Sequence, residues 1–359
     1  MEKILAVSLL LFSVVTLSAQ EVGPGKIVVT TFLAPSIQNN RGGEDPLRRL
    51  SIYLPPDYDK SNQHYPVVYF LHGFGINDSL VVALSKFDKL MDTAILSRHV
   101  RPMIIVFPNS FTRYGGSFYT NSSLTGNWAD YIVKDVVDYV DKNFRTIPQR
   151  SSRGIAGHSM GGHGALKLAM QYPGIFSSVY ALSPAALYWL KEFNVGNKVY
   201  QILDTIKDEA SVSSLLNKQP FAQTPIDFSE LLTVSLARAF SPNEHQPPFF
   251  ADFPVHFAGN NAISDTVVLR QWETNFPLNM IETHLAALKS FTALKIDWGR
   301  NDEFTDIPVT CLQFSKKLEA NGVRHCAEEY IGTHVSKLGR RDGRFYAELL
   351  LFFDANLKF

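Results

Sequence analysis

The sequence predicts an α/β fold with a mainly parallel central sheet flanked by helices, and three observations carry that expectation. Four short, continuous apolar runs, 65–73 (YPVVYFLHG), 103–108 (MIIVFP), 153–159 (RGIAGHS) and 178–184 (SVYALSP), have the length and composition of strands buried on both faces. Helix-patterned stretches separate them, as parallel crossovers require. The last third repeats the alternation, with strands at 291–299 and 326–332, a helix at 308–321 and a closing helix at 344–357.

Taken in order, the chain opens on Lys3, an apolar run from Ile4 to Val15 and the small residues Ser18 and Ala19. This is the pattern of a secretory signal over 1–19, too short in its apolar part for a spanning helix, and it predicts export to the periplasm or the medium. No later segment is long and apolar enough to span a bilayer. Residues 20–359 then read as one domain. Its first two strands, 26–33 and 48–55, flank the turn material QNNRGGEDP and suggest an antiparallel hairpin at a sheet edge. The helix NWADYIVKDVVDYVDKNF carries Trp128, Ile132, Val136 and Val140 at spacing four, with Asn127 placed to cap it. Between 187 and 285 the alternation fails, and a segment rich in Pro, Phe and Asn reads as a partly helical insertion or lid.

Composition excludes some classes of function. The 359 residues are 45% hydrophobic, enough for a sizeable core, and Lys+Arg and Asp+Glu are both 34. With no basic field, a nucleic-acid partner is not expected. The histidines are scattered, no Cys/His cluster has ligand spacing, and no dinucleotide fingerprint is present, so neither metal nor organic cofactor is expected. Cys311 at a helix start and Cys326 at the opening of the next strand lie at opposite ends of that unit, which disfavours a disulfide between them.

The chemistry concentrates in GIAGHSMGGHGAL, which contains Gly157-x-Ser159-x-Gly161. By itself the motif is weak; its context is not. RGIAG ends a strand and GGHGALKLAMQY starts a helix, so Ser159 occupies a tight strand-to-helix turn at the carboxyl end of a parallel strand, where open α/β sheets bind ligands. The glycines relieve the crowding such a turn creates, and the turn presents the hydroxyl beside a helix N-terminus. A serine hydroxyl needs a base and the base needs an orienting acid, in the chain order Ser, acid, His. Of the histidines beyond the strand FTALKIDWG, His325 precedes the final strand and His334 follows it, so His334 is the expected base. Asp302, just past that strand, is the favoured acid; Asp297 is still inside the strand, and Glu303 and Asp306 are neighbours able to substitute. The oxyanion donors expected are the N–H of Met160 and that of Phe74, or less favourably Gly75.

FLHGFG, GGSFYTNS, GIAGHSMGGHGALKLA, DWGRNDEF and YIGTHVSKLGRRDGRFYAELLLFF, in this order, resemble the esterase D, or putative esterase, family of α/β-hydrolases. That family includes feruloyl and acetylxylan esterases, S-formylglutathione hydrolases, enterochelin esterase-like enzymes and antigen 85-type mycolyltransferases. The resemblance covers about 48–185 and 285–357. It implies Ser159, Asp302 and His334 as the triad, and a loop at 114–128 whose Phe118, Tyr119 and Asn121 either contact substrate or hold the loop. It implies a serine esterase acting on a small-molecule or polysaccharide ester, feruloyl or acetyl, with an acyltransferase, a siderophore esterase and a non-catalytic carbohydrate-binding relative as the other readings.

Overall fold

The computed structural model describes residues 23–217, 228–259 and 261–359; the expected signal segment lies outside them. Among the described residues the strands are β1 (Lys26–Leu33), β2 (Leu47–Leu54), β3 (Val67–Leu71), β4 (Ile104–Pro108), β5 (Asn121–Ser122), β6 (Gly126–Asn127), β7 (Arg153–His158), β8 (Ser178–Leu182), β9 (Val255–Ala258), β10 (Asn261–Ser264), β11 (Ala293–Gly299) and β12 (Cys326–Tyr330). Eight of them form one sheet in the order β1-β2-β4-β3-β7-β8-β11-β12. β1, β2 and β4 pair antiparallel at one edge, and every neighbour from β4 to β12 is parallel. The expected edge hairpin and parallel body are both present.

The sheet separates two apolar layers, and strand alternation decides which residue enters which. Val67, Tyr69 and Leu71 of β3 join the layer beneath helices Met160–Gln171 and Asp306–Ala320. Val68 and Phe70 point the other way, onto Phe87, Met91, Phe345 and Phe353. Burial on both faces is why these strands read as unbroken apolar runs.

The helix expected from Trp128 is present, but Asn127 makes no side-chain cap. Asn121 does that work from the preceding hairpin, its Oδ1 accepting the N–H groups of Ala129 at 2.9 Å and Asp130 at 3.1 Å. The helix passes through a π segment at Tyr131–Val136. Its wider turn suits Trp128, Ile132, Val136 and Val140, spaced by four and all fully buried. Residues 187–285 contain helices Val199–Asp204, Glu209–Leu216, Ser229–Phe240 and Thr266–Glu273 and the β9/β10 hairpin. Cys311 is buried, Cys326 exposed, and both are free. No helix of the described residues is long and apolar enough to cross a membrane.

Candidate active site

β7 ends at His158 and the helix Met160–Gln171 begins two residues later, leaving Ser159 between them with φ +57° and ψ −119°. A side-chain-bearing residue adopts that conformation only when its surroundings enforce it. Here they do. The Ser159 N–H donates to the Leu182 carbonyl at 3.0 Å, and its own carbonyl accepts from His163 and Ala185 at 3.1 Å each. The flanking glycines have no room for a side chain: a Cβ on Gly157 would lie 2.2 Å from the Gly161 carbonyl oxygen, and one on Gly161 2.0 Å from that of Leu71.

The other two expected residues meet across the loops that follow β11 and β12. His334 Nδ1 donates to Asp302 Oδ2 at 2.7 Å, with His334 7% and Asp302 4% exposed. Asp302 Oδ1 accepts the Phe304 N–H at 2.9 Å, which fixes the carboxylate's orientation. The neighbouring acids are engaged elsewhere. Asp297 is buried against Arg344 and Tyr180, Asp306 accepts the Lys191 N–H, and Glu303 accepts the His334 backbone N–H at 3.0 Å. His325 is bonded to Ser315 at the far end of the sheet.

The residue between Gly157 and Ser159 has a role that sequence reasoning missed. His158 Nε2 lies 2.8 Å from the His334 carbonyl oxygen, so it carries the proton and donates. Burial first, and then the neighbouring His334, push its pKa down to about 3, so the ring stays a neutral tether between the turn that bears Ser159 and the loop that bears His334. Only its adjacency to the serine hinted at this.

The loop after β3 lies beside the serine, since a Cβ on Gly73 would sit 3.5 Å from that of Ser159. The Gly75 N–H is already given to Gly115 at 2.9 Å, whereas that of Phe74 has no partner among the described residues. Met160 supplies the first N–H of its helix, which helix geometry leaves without an intrahelical acceptor. The segment 114–121 braces this arrangement. Side chains on Gly115 and Gly116 would collide with the Phe74 ring and the Met160 sulfur, at 2.8 and 2.3 Å. Tyr119, fully buried, donates its hydroxyl to the His72 carbonyl at 2.8 Å. His72 in turn accepts the Ser110 N–H on Nε2 at 2.9 Å, and burial holds its pKa down at about 4. Tyr119 and Asn121 thus hold the loop, and Phe118 is packed within 6.2 Å of Phe74, His163 and Phe240.

An aromatic row crosses the site. Phe74 packs on Phe228 at 5.8 Å between ring centres, Phe228 on Phe304 at 5.5 Å, and Phe304 on His334 at 4.9 Å. Phe228 comes from the insertion. No group of three or more potential metal ligands occurs among the described residues.

A family model described as "Putative esterase" matches residues 46–222. An esterase of Mycobacterium tuberculosis is 37% identical over 145 residues, which is 38% of this chain and 29% of that protein. An endo-1,4-beta-xylanase/feruloyl esterase of Xylanibacter ruminicola is 25% identical over 161 residues, 44% of this chain and 21% of that protein. The alignments therefore span less than a third of either relative. A solved ferulic acid esterase superposes with a TM-score of 0.62 at 19% identity, covering 92% of this chain and 98% of its own. At that identity the likeness establishes the α/β-hydrolase fold.

Proposed function

With a putative esterase family model matching residues 46–222, we propose that this chain is an exported serine carboxylic-ester hydrolase acting on feruloyl or acetyl esters of plant polysaccharide. The observation that carries the reading is Ser159, held in a strained strand-to-helix turn that is tethered by His158 to the loop of the His334–Asp302 pair. Asp302 keeps the proton on Nδ1 of His334 and leaves Nε2 free to act as base. Ser159 Oγ attacks the ester carbonyl carbon while His334 takes its proton. The carbonyl π electrons move to oxygen, where the Phe74 and Met160 N–H groups receive the developing charge. Collapse expels the alcohol, which takes its proton from His334. Water, deprotonated by the same ring, then releases the acid and regenerates Ser159.

One feature supports the narrower substrate and another supports export. The aromatic row Phe74–Phe228–Phe304 favours a flat phenolic acyl group over acetyl, because ring stacking adds to simple burial. The leader-like segment 1–19 supports export, to be checked by sequencing the N-terminus of the extracellular or periplasmic protein, expected at Gln20.

The test is turnover of methyl ferulate, p-nitrophenyl acetate, p-nitrophenyl butyrate and acetylated xylan by wild type, Ser159→Ala and His334→Ala, with and without an added sugar acceptor. Activity should fall by about 10⁴-fold in both variants, methyl ferulate should lead in kcat/KM, and free acid should dominate over transfer product. A wild type that turns over none of the panel would sink the reading.

A further inference from the structure

A polar cavity lies on the flank of the helix Met160–Gln171, lined by residues that the ester chemistry does not use. Its volume is about 390 Å³, and its walls include Thr120, Asn121, Lys167, Gln171, Tyr172 and Asn275. Lys167 is 1% exposed. Its Nζ donates to Thr120 Oγ1 at 2.6 Å and to Asn275 Oδ1 at 2.7 Å, both neutral oxygens that also line the cavity. The Phe240 ring lies 5.0 Å away. No carboxylate pairs with it among the described residues.

A buried ammonium without a counter-charge is unfavourable, and protein interiors resolve it by neutralising the group or by admitting an anion. Both routes are open to Lys167. Burial alone lowers its pKa to about 7, so the proton is loosely held. The ammonium has three donors and two are used, leaving one N–H for a ligand.

We infer that this cavity is a binding site for a small monocarboxylate, which supplies the missing counter-charge to Lys167. One buried cation, Lys167, balances one negative charge, which favours a monoanion; Asp130 behind the Tyr172 hydroxyl is already paired with Lys134 at 2.9 Å, so that pair adds no free charge of either sign at the wall. The exposed Gln171 amide offers a further neutral donor at the rim. The site is distinct from the catalytic centre, and the inference does not depend on the ester reading. Thr120 is nonetheless next in sequence to Tyr119, whose hydroxyl holds the His72 carbonyl beside the oxyanion loop.

The test is thermal unfolding in sodium acetate against sodium chloride at equal ionic strength, with sodium phosphate as a third series. Wild type should show a saturable rise of Tm in acetate, as expected for a ligand that binds the folded state alone. Lys167→Met should lose that rise. Asn275→Asp, which sets a carboxylate within hydrogen-bond reach of Nζ, should also lose it and should melt above wild type in acetate-free buffer. If Lys167→Met does not fold, Asn275→Asp carries the comparison. An acetate effect in wild type no larger than that of chloride, an equal effect in a folded Lys167→Met, or a larger effect of phosphate would overturn the inference.

Discussion

Ser159 sits in a conformation that costs on the order of 1–3 kcal/mol, and two glycines make it attainable. Gly161 is the tighter case, because a methyl group there would meet the main-chain oxygen of Leu71, which is part of β3 and has nowhere to move. Gly161→Ala should therefore abolish ester turnover and lower Tm, since the collision is relieved only by separating helix from sheet. Gly174, with open space around its Cβ position, is the matched control, and Gly174→Ala should melt and turn over substrate like wild type. If Gly161→Ala kept full activity, the elbow geometry would be wrong. The same residue scale shows why the sequence placed Ser159, His334 and Asp302 but not His158. Candidates for nucleophile, base and acid are recognisable from residue type, chain order and position after a strand. A histidine whose neutral ring ties one loop to another is recognisable only once its 2.8 Å contact with the His334 carbonyl exists.

Elements, rather than single residues, decide which carboxylate is left to reach His334. Asp297 and Asp302 stand at the two ends of one strand-to-loop passage, and the strand claims the first. Arg344, which leads into the closing helix, donates to Asp297 Oδ2 at 2.7 Å and to both oxygens of Glu328 at 2.9 and 2.7 Å. One guanidinium thus clamps β11, β12 and the closing helix, with the His334 loop between the last two. Its hydrogen bonds to Glu328 are the largest influence holding that carboxyl down at about 2. The native state therefore binds fewer protons than the unfolded chain between about pH 2 and the usual value of 4.5, so this contribution is complete above pH 4.5 and fades as pH falls through that window. Urea midpoints measured from pH 5 to 2 should drop less steeply for Glu328→Gln than for wild type. Parallel slopes would show that the clamp contributes nothing to acid stability. At this scale the sequence was legible wherever burial left a recognisable pattern, as in the unbroken apolar run of the all-buried β3. It misled where a cap came from outside the helix: Asn127 stands at the right place by spacing, yet Asn121 makes the bonds, because only the fold of the β5/β6 hairpin brings it there.

For the whole molecule the open question is whether residues 187–285 form a separable lid. Their internal structure was not legible, because the helices are short and the shape is held by aromatic contacts distant in sequence. Trp272, fully buried, stacks on Trp189 at 5.5 Å and donates its indole N–H to Ser241 at 2.8 Å. Phe240, Phe276 and Met280 belong to the same apolar layer as the strands β3, β7 and β11 and the helix Met160–Gln171. A segment that shares its core with the central sheet cannot open as a rigid flap without exposing that core. Only its second, smaller cluster, around Tyr200, Val234 and Phe249, is largely its own. Denaturation followed by far-UV and near-UV circular dichroism should accordingly give one coincident transition. Trp272→Ala should shift that whole transition by about 3–5 kcal/mol, the cost of an emptied tryptophan site, rather than split it. An early separate transition in the variant, with the sheet melting later at the wild-type midpoint, would instead mean that the insertion folds on its own and closes over the site as an independent body.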